Sequence, residues 1–198
     1  MINESSSGIN VKSLPDYAEW YAGKTVLVTG ATSGLGREIA KLLISFGSSV
    51  IPCGTNKSAM DSLLSELRFV SASKVEGFLA DFSDSESLSQ MIKKIIGKYR
   101  VDILINSAGF GYINDFYAMP SEKIYSIQRV NITSVVELCR AFLPGMMKKP
   151  GAGIMNIGST ASFFPTPGSA LYGATKHFIL GFTEALHHEM LSKGVHVT

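Results

Sequence analysis

Three glycines, Gly30, Gly34 and Gly36, stand where a strand-like run meets a helix-like one. That junction constrains the fold more than any other feature of the chain. Before it, residues 24–29 (KTVLVT) are short, apolar and β-branched, as in a strand buried on both faces. After it, Leu35, Ile39, Leu42, Leu43 and Phe46 recur at helical spacing until Gly47 ends the pattern. A strand–loop–helix passage of this kind uses glycine for a tight turn, for close approach of backbone to a pyrophosphate, and for close packing of helix on strand. The helix start adds free N–H groups and the positive end of its dipole. Gly30, Thr32, Ser33, Gly34, Leu35 and Gly36 are therefore expected to hold a dinucleotide.

The alternation continues along the chain. Strand-like runs at 49–53, 75–80, 101–106, 153–157 and 195–198 alternate with helical patterns over 58–70, 85–99, 121–148 and 170–192. Ser83 or Asp84 is the expected cap of the 85–99 helix. Ser121 opens the next helical stretch, which is interrupted near Asn131, and Gly194 stops the last. Repeated βαβ units predict an α/β fold, a Rossmann-type doubly wound parallel sheet with helices on both faces. Residues 23–198 are expected to form the NAD(P)-binding domain. Residues 1–22 read as an N-terminal extension, with a flexible Ser5-Ser6-Ser7-Gly8, a turn at Pro15-Asp16-Tyr17 and a short helix around 17–21. The sequence stops inside the sixth strand, before the loop that would leave it, so the domain is expected to be truncated there with its carboxyl-terminal part missing.

Composition narrows the function classes. A net charge of +2, with Lys148-Lys149 as the longest basic cluster, argues against a nucleic-acid surface. No apolar run approaches the roughly 20 residues that span a bilayer. The opening MINESSSGIN has no apolar signal core. A cytoplasmic protein without membrane or nucleic-acid partners is expected. Cys53 and Cys139 lack metal-ligand spacing and read as two reduced thiols, with no metal site.

The end of the second strand bears on which dinucleotide binds, because the adenine ribose sits there. The sequence reads Cys53-Gly54-Thr55-Asn56-Lys57, with no carboxylate to accept a 2′-hydroxyl or repel a 2′-phosphate. Gly54, Thr55 and Asn56 are expected cofactor contacts, Thr55, Asn56 and Lys57 could hold a phosphate, and NADP is favoured over NAD.

Tyr172 and Lys176 are four apart on a helical pattern, which stacks them on one face about 6 Å apart along the axis. A phenol in water ionises only near pH 10, and a neighbouring ammonium favours the phenolate. Such a tyrosine can protonate a carbonyl oxygen as hydride arrives, or deprotonate an alcohol in reverse. Ser159 follows the fifth strand at the same carboxyl edge, where its hydroxyl can orient a substrate oxygen. Phe163, Phe164 and Pro165 either line an apolar pocket wall or pack the loop.

Taken in order, the stretch from Thr29 to Gly36 (TGATSGLG), then Asn106-Ser107-Ala108-Gly109, Asn131, Ser159 and Tyr172-Gly173-Ala174-Thr175-Lys176 resemble the short-chain dehydrogenase/reductase family over about residues 23–198. The glycine spacing resembles its compact single-domain branch. The resemblance implies an oxidoreductase that moves a hydride between NAD(P)(H) and a carbonyl or secondary alcohol. It implies Tyr172 as acid/base, Lys176 favouring the tyrosinate and binding the nicotinamide ribose, and Ser159 orienting the carbonyl. Asn131 would hold a water linked to the lysine in a proton relay. Asp81 and Phe82 would lie beside the adenine, and Asn106, Ala108 and Gly109 would border the cofactor. Ser107 departs from the family's usual second asparagine. Helices 132–148 and 170–192 resemble the family's dimer bundle, implying a homodimer or homotetramer of the full-length form. The alternative is a non-catalytic dinucleotide-binding or scaffold protein on the same fold; the joint presence of Ser159, Tyr172 and Lys176 argues against it.

Overall fold

The computed structural model of the chain describes residues 15–70 and 75–198. Strands β1 (Thr25–Val28), β2 (Ser49–Gly54), β3 (Phe78–Leu79), β4 (Ile103–Asn106), β5 (Ala152–Asn156) and β6 (Val195–Val197) form one parallel sheet in the order β3-β2-β1-β4-β5-β6. They alternate with helices α1 (Pro15–Tyr21), α2 (Gly34–Ser45), α3 (Lys57–Val70), α4 (Ser85–Lys98), α5 (Ser121–Gln128), α6 (Ser134–Met146) and α7 (Ala170–Leu191). The strand order reverses between β1 and β4, so a crevice opens there at the carboxyl ends of the strands.

The central strand explains the layering. Val26, Leu27 and Val28 have no exposed surface, and successive side chains of a strand point to opposite faces. Val26 and Val28 pack with Ala40, Leu43 and Ile44 of α2 and with Leu63 and Leu67 of α3. Leu27 belongs to the other face, with Leu88 and Ile95 of α4, Leu138 and Phe142 of α6, and Ile179 and Leu186 of α7. Burying a side chain of this size contributes about 1.5–3 kcal/mol. The sheet is thus held from both sides, as the buried, non-alternating strand runs predict.

α5 and α6 are joined by one π-helical turn, Arg129–Thr133, which widens the long helical stretch at Asn131. Such a turn inserts an extra residue into the α-helical pattern. This is the interruption expected near Asn131.

Three local expectations change and one is narrowed. The 75–80 run gives the two-residue β3, which sits at the sheet edge and, among the described residues, pairs only with Cys53 and Gly54 of β2. Asp84 caps α4, accepting from the backbone N–H of Ser87 at 2.8 Å, whereas Ser83 is drawn to Asp81. Pro120 occupies the cap position of α5, and Ser121 is its first helical residue. Pro15-Asp16-Tyr17 is the opening turn of α1, where proline's fixed φ and missing N–H suit the first helical position.

Part of the N-terminal extension packs on the domain. The Tyr21 ring stacks on Phe46 with centroids 6.2 Å apart, the Ser48 hydroxyl donates to the Tyr21 carbonyl at 2.8 Å, and Lys24 Nζ lies 3.4 Å from the centre of the Trp20 ring. Ser5-Ser6-Ser7-Gly8 lies outside the described residues. Among the described residues, no helix is long and apolar enough to cross a membrane, and no group of His, Cys, Asp or Glu side chains could hold a metal ion.

Candidate active site

The loop from β1 to α2 leaves no room for side chains where glycines stand. Gly30 has a φ of 67°, and a Cβ there would lie 2.9 Å from the Cα of Ala108 in the loop after β4. A Cβ on Gly36 would lie 2.5 Å from the carbonyl oxygen of Gly30, so α2 rests directly on the loop. Ser33 occupies the cap position of α2, but its side chain caps nothing, and the first turn holds no carboxylate. The first-turn N–H groups are open to an external anion. Thr29 fastens the facing loop: its hydroxyl oxygen accepts from the backbone N–H groups of Ser107 at 3.1 Å and Ala108 at 3.0 Å. Thr29 heads the TGATSGLG stretch, but that position alone gives no sign of what its hydroxyl binds.

Two hollows of about 320 and 330 Å³ meet along Gly30, Ser33, Ala108, Gly109 and Phe110. The first extends to Gly34, Leu35, Gly36, Tyr172 and Lys176. The second extends to Thr32, Gly54, Thr55, Asp81 and Phe82. One cleft therefore joins the glycine loop, the end of β2 and the first turns of α7, from three distant stretches of sequence. Lys123, Ser126 and Val130 also border the second hollow, and nothing in their local pattern marked them. Gly111 was findable in Ala108-Gly109-Phe110-Gly111: a Cβ there would lie 3.2 Å from the Tyr172 ring.

Some expected contacts do other work. Asn56 caps α3, accepting from the Ala59 N–H at 2.9 Å. Lys57 pairs with Asp61 at 2.7 Å. The Asn106 side chain is buried beneath the cleft, where Nδ2 donates to Asn156 Oδ1 at 2.8 Å, and Asn156 Nδ2 donates to Thr183 at 2.9 Å. Asn106 thus ties β4 to β5 and, through Asn156, to α7. Phe163 and Phe164 are 63% and 67% exposed and line neither hollow. Cys53 and Cys139 are free and buried, and burial pushes the Cys139 thiol up to about 12.

The four residues of the expected chemistry are fixed by separate devices. Lys176 is 7% exposed, and its ammonium donates to the main-chain carbonyl of Ile157, just past β5, at 2.7 Å. Burial lowers its pKa below the ordinary lysine value. Its Nζ lies 5.8 Å from the centre of the Tyr172 ring, which is partly buried. Asn131 is buried in the π turn, where its Oδ1 accepts from the Phe110 N–H at 3.1 Å and its Nδ2 donates to the Phe110 carbonyl at 3.0 Å. Ser159 caps a 3-10 turn, Thr160–Ser162, accepting from the Ala161 N–H at 3.1 Å. That turn lies along α7: a Cβ on Gly173 would be 3.8 Å from the Ala161 carbonyl oxygen.

The sequence profile described as short chain dehydrogenase matches residues 24–198. The chain belongs to the short-chain dehydrogenase family. This short-chain dehydrogenase is 35% identical over 176 residues to the 3-oxoacyl-acyl-carrier-protein reductase FabG of Haemophilus influenzae, covering 88% of this chain and 71% of that protein. A Sphingobium yanoikuyae short-chain dehydrogenase solved in complex with NADPH superposes with a TM-score of 0.84 at 32% identity, covering 88% of this chain and 69% of the other. A bulky-bulky ketone specific alcohol dehydrogenase from Comamonas testosteroni superposes with a TM-score of 0.84 at 30% identity, covering 88% of this chain and 70% of the other. As a member of the family, this short-chain dehydrogenase is an NAD(P)-dependent oxidoreductase, and none of these relatives supports the non-catalytic scaffold reading.

Proposed function

We propose that this dehydrogenase uses NADP to interconvert a carbonyl compound and a secondary alcohol, with Tyr172 as its acid/base. One observation carries the reading: Tyr172 and Lys176 border the same hollow as Gly30, Ser33 and Gly36. A glycine cradle that a Cβ at Gly30 or Gly36 would fill, beside an uncapped helix start, fits a pyrophosphate. Gly30, Thr32, Ser33, Gly34, Leu35 and Gly36 would hold that group. Asp81 and Phe82 would flank the adenine, Gly54 and Thr55 its ribose, and Ala108 and Gly109 the middle of the cofactor.

The bound cofactor supplies or accepts the hydride. Tyr172 would pass its hydroxyl proton to the carbonyl oxygen, and Ser159 would donate a hydrogen bond to the same atom. An ammonium has three N–H donors. Lys176 commits one to Ile157, leaving others for the nicotinamide ribose and for a water that Asn131's turn would hold.

NADP is supported by the lack of a carboxylate at the end of β2 and by the NADPH complex of the Sphingobium relative. A neutral substrate is supported by residues 157–175, which flank Tyr172 in the sequence without a single charged side chain. A cytoplasmic homodimer or homotetramer built on α6 and α7 completes the proposal; a monomer in light scattering would refute the assembly.

The deciding assay compares the chain with Tyr172→Phe, using NADPH and matched neutral and carboxylated ketones. The substitution should retain NADPH binding and lower turnover by about 10²-fold or more. Unchanged turnover would sink the acid/base assignment, and equal use of both ketone classes would sink the neutral substrate.

A further inference from the structure

Thr175 lies in the first turns of α7, between the tyrosine and the lysine, and is 1% exposed. Its hydroxyl is used twice. Oγ1 donates to the main-chain carbonyl of Tyr172 at 2.7 Å and accepts from Nδ2 of Asn131 at 3.0 Å. The directions follow from chemistry: a carbonyl only accepts, an amide nitrogen only donates, and a hydroxyl has one proton. Asn131, 2% exposed, is bound on its other sides to the N–H and carbonyl of Phe110. A continuous line of hydrogen bonds therefore runs from the loop after β4, through the π turn, to the backbone of Tyr172. Gly109 sits beside this line, since a Cβ there would be 3.3 Å from Asn131 Oδ1 and 3.7 Å from Lys176 Nζ.

We infer that Thr175 is a positioning residue for the reaction: its hydroxyl ties the turn of α7 bearing Tyr172 and Lys176 to the π turn bearing Asn131. What those residues do rests on the function proposed above. The helix itself has no need of this hydroxyl. Threonine is a weaker helix former than alanine, and bonding back to a carbonyl of the preceding turn slightly destabilises and bends a helix. What the hydroxyl adds is the link to Asn131. Without it, one amide proton of Asn131 loses its partner among buried groups, and an unsatisfied buried donor drives local rearrangement. Asn131 can regain a partner only by moving its amide, which disturbs both bonds to Phe110.

Thr175→Val keeps the shape and removes the hydroxyl; Thr175→Ser keeps the hydroxyl. With NADPH and an accepted ketone, the valine variant should lose about tenfold in kcat with little change in KM for NADPH. Its pH profile of kcat should shift, and serine should restore both. Without cofactor, hydrogen exchange at the Phe110 amide should quicken about tenfold in the valine variant and return in the serine variant. A valine variant that loses only thermal stability, keeping wild-type kcat, pH profile and Phe110 exchange, overturns the inference. If Tyr172→Phe leaves turnover unchanged, the proposed function fails instead, and Phe110 exchange still decides what Thr175 holds in place.

Discussion

The ammonium of Lys176 is hydrogen-bonded to the main-chain carbonyl of Ile157, so the helix that supplies the lysine is tied to the carboxyl end of β5. The bond anchors the lysine, but burial still works against its charge. Lys176 is lowered from the ordinary value of 10.5, and desolvation is the cause. The folded chain thus holds this proton less firmly than the unfolded chain. Between the lowered folded value and 10.5, the unfolded state binds more protons, and this group makes stability rise with pH. Urea unfolding of the wild type and Lys176→Met should therefore diverge in the wild type's favour as pH rises from neutral through that window. Wild-type stability that stays flat or falls relative to the variant would contradict the assignment.

Gly36 is the tightest contact between α2 and its loop. In Gly36→Ala the new Cβ meets the Gly30 carbonyl oxygen at 2.5 Å, and backbone cannot step aside as a side-chain tip can. Overpacking of this kind costs about 1–3 kcal/mol. The variant should unfold at lower urea and bind NADPH more weakly by about tenfold or more, since the helix start shifts away from the pyrophosphate. Gly97 on α4, where a Cβ meets nothing within 4 Å among the described residues, is the control: Gly97→Ala should leave binding unchanged. Normal NADPH affinity in Gly36→Ala would show that the cradle is not the phosphate site.

Thr55 borders the second hollow at the end of β2, where no carboxylate stands. Thr55→Asp adds a negative charge where the 2′-phosphate of NADP is proposed to lie. At an effective dielectric of about 20, two unit charges 4 Å apart repel by about 4 kcal/mol, which water and salt reduce at this exposed site. NADPH affinity should fall by about tenfold or more and recover partly at high salt, while NADH affinity holds. Calorimetric titration with both cofactors checks this; equal losses for both would remove Thr55 from cofactor selection.

The layering of the fold was legible because strands buried on both faces leave an unbroken apolar record. Val26-Leu27-Val28 is such a record, and a glycine just beyond it marks the turn. β3 was read too long because an edge strand with one neighbour need not carry its apolar residues as paired ladder. Of the site, the cleft-lining glycines, Tyr172 and Lys176 were legible from spacing and family pattern. Asn106 was not: a motif position shows which residue is present, not whether its amide turns toward the cleft or, as here, toward Asn156. Asn56 and Lys57 show the same limit, since a polar turn serves a phosphate and a helix start equally well until Ala59 and Asp61 are seen to occupy it. Thr175 was hidden because its partners lie 3 and 44 positions away, and only folding brings Asn131 beside it.

The π turn at Arg129–Thr133 has a consequence for how this chain can change length. Each residue advances an α-helix by about 100°. Ile127 before the turn and Leu138, Cys139 and Phe142 after it are all buried, so both halves must present their apolar side inward. Deleting one residue within 129–133 would return the stretch to a regular α-helix with both halves still in phase, whereas adding one without a further wide turn would rotate one half against the other by about that angle. After such an addition either Ile127 or the α6 face would swing toward solvent, while after the deletion the wide turn that brings Asn131 to Phe110 would be lost. The wide turn therefore absorbs one residue of phase: a further added residue in this stretch should disrupt the fold, whereas a single deletion within 129–133 should spare the core and cost the site its Asn131 contacts.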